Sequence, residues 1–249
     1  SVNGNTTAEE TMRERCNLPA VLAIVVATLG FTIVPGAGAE TYLVKPDGSG
    51  SFATIQAAID GATNGDVIEL ANGTFAGDGN RDLRYHGKSI TVKAQGGDPA
   101  ACVIDCGGSA GSPHRGFVFD GGETAASLLE GITITHGYVT GFPLGRGGGI
   151  YCYDASPTIR RCVIAQNNAD AGGGGLCCSR LASPSLVECT FTGNQGGNGG
   201  AIGCWGTGDG ATGASPTLTD CVFSSNTATG AGGAIYQTQA GSAQFLRCA

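Results

Sequence analysis

Asp105, Asp120, His136 and Arg146 are the residues of this chain whose types could together do chemistry. A carboxylate, an imidazole and a guanidinium can serve as metal ligand, base and charge clamp on an acidic sugar. Tyr151 joins them if successive stretches of chain stack one above the next. A plainer reading stands beside this one. Asp120 precedes Gly121-Gly122, His136 holds a turn place that Gly193 and Ser225 hold elsewhere, and Arg146 begins the glycine-rich loop at 147–149. Turn roles account for all three. The other acids, Glu130, Asp154 and Asp170 among them, are scattered and form no repeating line of carboxylates. The sequence therefore assigns no catalytic residue and no metal ligand, and it leaves the binding residues open.

Cysteine is the second chemically capable residue. There are 11, of which Cys16 falls in an N-terminal leader. Cys177-Cys178 lacks the two-residue gap of a zinc-type pair. A disulfide between stacked coils is sterically allowed, because ~4.8 Å lies within the Cα separations that disulfides span. Stacked cysteines also work as small apolar fillers of a narrow core, and this is the preferred reading for those that face inward. Cys177 is the exception, since alternation points it outward. Cys102 and Cys106 read as further fillers or as a local pair. No phosphate-binding loop, H-E-x-x-H or EF-hand loop is present. Asn72-Gly73-Thr74 matches a glycosylation acceptor and equally a turn.

The elements that would position these residues come from a repeat. GGGIYCYDASPTIRRC at 147–162 is echoed by GGGLCCSRLASPSLVEC at 173–189, then by GGAIGC and SPTLTDC at 199–204 and 215–221, and by GGAIYQ and SAQFLRC at 232–237 and 242–248. Ile150, Leu176, Ile202 and Ile235 form one column, with Cys152, Cys178, Cys204 and Gln237 two residues later on the same strand face. Ile159, Leu186, Leu218 and Phe245 form a second, with Cys162, Cys189, Cys221 and Cys248 three residues on; Ile164, Phe191 and Phe223 follow, then Asn167, Asn194 and Asn226. The four cysteines of the second column are 27, 32 and 27 residues apart. A unit that short cannot bury its own apolar face, so copies must stack along an axis with like above like. Leucine-rich repeats also carry Leu and Asn ladders but need a helical segment, which these Gly- and Ser-rich stretches do not supply. The predicted fold is all-β: a right-handed parallel β-helix, or solenoid, with a short N-terminal capping helix at 51–62. Phe52, Ile55, Ala58 and Ile59 give that helix its apolar spacing, and Gly61 ends it. Strands are expected at 65–75, 88–94, 101–106, 116–120 and 129–137.

Composition agrees. Glycine is the outlier at 45 residues, charged residues make up 13% and aromatics 6%. That is too apolar for disorder and lacks the collagen period. A net charge of −7 argues against nucleic acid or anionic membrane as a partner. Met12, Arg13 and Arg15, the apolar run Leu18–Val34 and the Ala37-x-Ala39 site resemble a secretory signal peptide. The expected organisation is residues 1–39 as upstream sequence plus leader, and 40–249 as β-helix domain, truncated at its C-terminus. No membrane insertion is expected after cleavage.

TYLVKPDGSGSFATIQAAIDGATNGDVIELANGTF at 41–75 resembles the opening segment of right-handed β-helix proteins of the pectin-lyase-like superfamily. The GG[GA]I units with Phe191–Asn194 and Phe223–Asn226 are similar to repeats of polymorphic outer-membrane proteins. The resemblance spans roughly 41–249 and implies the fold more than an activity, since this fold carries enzymes and adhesins alike. Pectin methylesterases imply paired Asp, paired Gln and an Arg in GTVDFIFG- and LGRPW-like stretches; neither occurs here. Polygalacturonases imply N-T-D, D-D, G-H-G and R-I-K, of which only His136-Gly137 has a trace. Pectate lyases imply clustered acidic Ca²⁺ ligands, absent from this pattern. The function expected is a secreted or cell-surface β-helix repeat protein without catalysis: an adhesin, stalk or glycan-contacting scaffold meeting extracellular polysaccharide or a host surface, with no cofactor. The alternative is a polysaccharide lyase-like enzyme on acidic polysaccharide, for which Ca²⁺ is the one cofactor implied.

Overall fold

The structure, a computed structural model, describes residues 38–141, 145–207, 212–238 and 241–249. The leader read at 1–39 lies outside them except for its last two residues. The remainder is a parallel β-solenoid. Sheet A has eight strands, from Thr41–Val44 to Gln244–Leu246. Sheet B has six, from Gly73–Ala76 to Val222–Ser224, and sheet C six, from Leu83–Arg84 to Ile235–Gln237. Sheet D is a ribbon of four two-residue strands, Tyr138–Val139 to Thr227–Ala228. From Leu128 on, each full coil passes through A, B, D and C in turn, whereas the two coils that start at Val67 and Thr91 run A, B, C, and every pairing within a sheet is parallel.

The repeat falls in register. Ile150, Leu176, Ile202 and Ile235 pair as one column, with Cys152, Cys178, Cys204 and Gln237 as the next inward one. In sheet A, Ile68, Val92, Leu129, Ile159, Leu186, Leu218 and Phe245 stack one above another. Sheet B stacks Phe75, Ile104, Ile134, Ile164, Phe191 and Phe223, the last two with rings 5.3 Å apart. These columns meet in a single core. At the last coil the core face is open, with Phe245 49% exposed.

The corners explain the repeated glycines and asparagines. Asn194 Nδ2 donates to Asn226 Oδ1 at 3.0 Å and Asn167 Nδ2 to Asn194 Oδ1 at 3.1 Å, so the turn after sheet B is held by a side-chain ladder. One residue earlier, His136, Gln166, Gly193 and Ser225 all take left-handed φ, of 54°, 55°, 64° and 55°. The bend from A to B uses the same device at Arg161, Glu188, Asp220 and Arg247, just before the inward cysteines. Before sheet C, Gly147, Gly173, Gly199 and Gly232 have φ of 63–72°, while the next glycine in the first three, Gly148, Gly174 and Gly200, is pressed against backbone of a neighbouring coil. A Cβ at Gly148 would meet the Gly174 carbonyl oxygen at 2.6 Å, so no larger residue fits there.

Two expectations at the front need correcting. The helix is Ile55–Gly61, shorter than 51–62, because Thr54 caps it: its Oγ1 accepts from Ala57 N at 3.2 Å. Phe52 is thereby left outside the helix, bridged to Val44 and packed edge-on against Tyr42 at 5.2 Å. The first strand is Thr41–Val44, and the strand at Val67–Leu70 is the second of sheet A. Ile55, Ala58 and Ile59 are fully buried, at roughly 1.5–3 kcal/mol for each isoleucine.

Candidate functional site

The ten cysteines among the described residues are unpaired thiols, and nine are buried. Cys162, Cys189, Cys221 and Cys248 direct their thiols at carbonyl oxygens of the coil before, those of Leu129, Ile159, Leu186 and Leu218, at 3.4–3.7 Å. Burial pushes Cys102 up to about 12 and Cys162 to about 11, far from thiolate at neutral pH. Cys102 and Cys106 are both unpaired and sit in the core. The filler reading thus describes the inward columns. Cys177 does point away from the core, yet it is fully buried, and burial raises its thiol to about 12. Something on the outside covers it.

That cover is a row of rings and guanidinium groups on the outer face of sheet C. Alternation turns Tyr151, Cys177, Gly203 and Tyr236 outward in one register line, and Tyr153, Ser179 and Trp205 in the next. Trp205 folds back over the position where Gly203 lacks a side chain, 5.7 Å from the Tyr236 ring. Arg146 lies over Trp205 at 4.5 Å, Arg115 over Tyr151 at 5.3 Å and Arg180 over Tyr153 at 5.4 Å. Arg180 also donates to Tyr153 Oη at 3.0 Å and to Asp154 Oδ2 at 3.0 Å. Burial lowers the Arg115 pKa and raises that of Tyr151, so both rest against protein rather than bulk water. Cations held by π faces on one side of the solenoid can meet carboxylates or sulfates, and the rings beside them can meet sugar carbons.

The polar residues singled out from sequence do not converge. His136 bonds Asp105 through Nδ1 at 3.1 Å and Gln166 through Nε2 at 3.1 Å, at the corner after sheet B. Asp120 pairs instead with Arg84 on sheet C. Arg146 belongs to the aromatic row, with Tyr151 near enough for its charge to be felt. Arg160 and Arg161 both pair with Glu130 at the A-to-B bend. His136 has the turn role, with its φ of 54°. No group of three or more His, Cys, Asp or Glu able to hold a metal occurs among the described residues.

Two features escaped sequence reading. Trp205, the single tryptophan, sits at a strand end where nothing repeats, and its ring packs on Gly203, two residues back on the same face, and on Gly172, which only the stack brings beneath it. The other lies in the loop before sheet C. Ser112 Oγ is 3.0 Å from His114 Nε2, and His114 Nδ1 is 2.6 Å from Asp82 Oδ2. Ser-Pro-His at 112–114 was visible, but Asp82 comes from the coil below and only the stack joins them.

Among solved structures, the pectin methylesterase from Aspergillus niger is similar at 15% identity, over 76% of this chain and 67% of that one, with a TM-score of 0.43. That degree of likeness says nothing about activity. No curated protein sequence matches the chain. The model of the family described as "Right handed beta helix region" matches residues 101–248. With more than half its length matched and its coils stacked in parallel sheets, the chain belongs to the right-handed β-helix family.

Proposed function

We propose that this is a secreted or surface-displayed β-helix scaffold that contacts anionic polysaccharide along the outer face of sheet C. The observation that carries the reading is a set of three cation–ring pairs, Arg115–Tyr151, Arg180–Tyr153 and Arg146–Trp205, on the outer face of sheet C. Extended polymer matches an extended row, since coils repeat at ~4.8 Å and a sugar residue spans a comparable length. The leader-like pattern at 12–39 supports export. The repeats similar to those of bacterial surface proteins support display on a cell.

A polysaccharide lyase is the second reading, and the same polymers separate the two. Polygalacturonate and alginate, with and without Ca²⁺, are expected to bind without release of unsaturated product. Growth of unsaturated-product absorbance would replace the scaffold with the lyase. Arg146→Ala is expected to weaken binding roughly tenfold, as loss of a central anchor does; unchanged affinity would remove this face from the site.

A further inference from the structure

The loop at 107–116 is tightly built. Ser109 and Ser112 exchange backbone hydrogen bonds at 2.9 and 3.1 Å, closing a turn that carries Ser112 outward. His114 exchanges backbone bonds with Tyr138 at 2.9 and 2.8 Å, which fixes the histidine two residues later. Asp82 is held from both sides: its N donates to Arg115 O at 2.7 Å, and its Oδ1 accepts from Arg115 N at 2.9 Å. Oδ2 is then left to face His114 Nδ1. With Nδ1–H donating to Asp82, Nε2 is the ring's acceptor, and the Ser112 hydroxyl is its donor. The alcohol, imidazole and carboxylate stand in the order and at the spacings of a nucleophile, base and orienting acid. Ser112 is exposed, so the hydroxyl is open to solvent and to groups displayed on a large molecule.

We propose that Ser112, His114 and Asp82 form a hydrolytic centre for carboxylic esters with short acyl groups. Ser112 Oγ bonds to the acyl carbon while its proton passes to His114 Nε2. Collapse breaks the carbon–oxygen bond to the alcohol, which leaves with that proton. Water then adds to the acyl-serine, gives a proton to Nε2, and the acid departs as Ser112 recovers its hydrogen. Asp82 is a positioning residue: it holds the ring in the one tautomer that can accept from the serine. The turn 109–113 is exposed throughout and encloses no acyl chain, so small acyl groups such as acetyl suit it. The centre stands on its own geometry and does not depend on glycan contact at sheet C.

The test treats the full chain with a fluorophosphonate, which phosphonylates activated serines, and follows 4-nitrophenyl acetate hydrolysis alongside. Expected is one phosphonyl adduct on the peptide containing Ser112, none in Ser112→Ala, and labelling at least about 100-fold slower in His114→Ala. Asp82→Asn keeps a residue that tolerates left-handed φ, and is expected to lower labelling and turnover at least about tenfold with KM and thermal midpoint unchanged. Ser112→Ala should keep the polysaccharide affinity of the parent, so the two proposals can fail separately. A folded parent protein that is unlabelled at Ser112, or that hydrolyses the ester no faster than Ser112→Ala, overturns the inference.

Discussion

Asn194 shows how much one side chain can hold. It is fully buried; its Oδ1 accepts from the backbone and side chain of Asn167 at 3.1 Å each, and its Nδ2 donates to Ile164 O at 2.8 Å and to Asn226. Removing it leaves donors and an acceptor of two coils without partners in the interior. Asn194→Ala is therefore expected to destabilise by at least about 2 kcal/mol, read by urea unfolding. The thiols make the opposite case. They pack as unpaired thiols, so a native-state thiol titration should find Cys248 modified first, then Cys221, whose hydrogen bond with Cys189 lowers its pKa to about 7, and the other eight buried cysteines only on unfolding. Disulfides found by non-reducing mass mapping would contradict this. Gly203 is a third residue with a specific duty, since a Cβ there would collide with the Trp205 ring. Gly203→Ala should move that ring off the sheet and red-shift its emission with the β-sheet circular dichroism retained. An unchanged spectrum would mean the ring does not rest there.

At the scale of elements, the entry to the solenoid depends on Asp66. Its carboxylate accepts from Glu40 N at 2.8 Å, Thr63 N at 2.7 Å and the Thr63 hydroxyl at 3.0 Å, tying the first strand to the turn after the helix. Those backbone hydrogen bonds, Thr63 first, hold its pKa below the ordinary carboxylate value. The folded pKa lies below the unfolded one, so this stabilisation is complete at neutral pH and is lost as pH falls through the folded value. Asp66→Asn should lower the thermal midpoint at pH 7, and the difference from the parent should shrink on acidification below about pH 4. A difference constant with pH would mean that the charge is not what matters. The columns of the elements were legible in the sequence because parallel register puts like on like; Ile150, Cys152, Ile159 and Asn167 could be placed without coordinates. The left-handed corners at Arg161 and Glu188 were not, because Arg and Glu carry no turn signature and the fold imposes their φ. Phe52 was misplaced for a related reason, as Thr54 stops the helix before the apolar spacing does.

Over the whole molecule, the parts that repeat build the core, and the parts that do not repeat decorate it. Of the polar residues sequence reading grouped, the solenoid separates Asp105 and His136 from Asp120, and sends Arg146 to Trp205. Contacts across coils involve residues about 30 apart in the chain, as Asp82 and His114 are, and no local motif records them. The outer face of sheet C is where such contacts gather rings and cations. Because Trp205 is the chain's single tryptophan, its fluorescence reports that face directly. The decisive measurement is a titration of Trp205 emission with polygalacturonate, with neutral dextran as control. The account predicts a saturable change with the anionic polymer alone, weakened roughly tenfold in Arg146→Ala. No spectral change in the folded protein, together with no binding heat at the same concentrations, would contradict it.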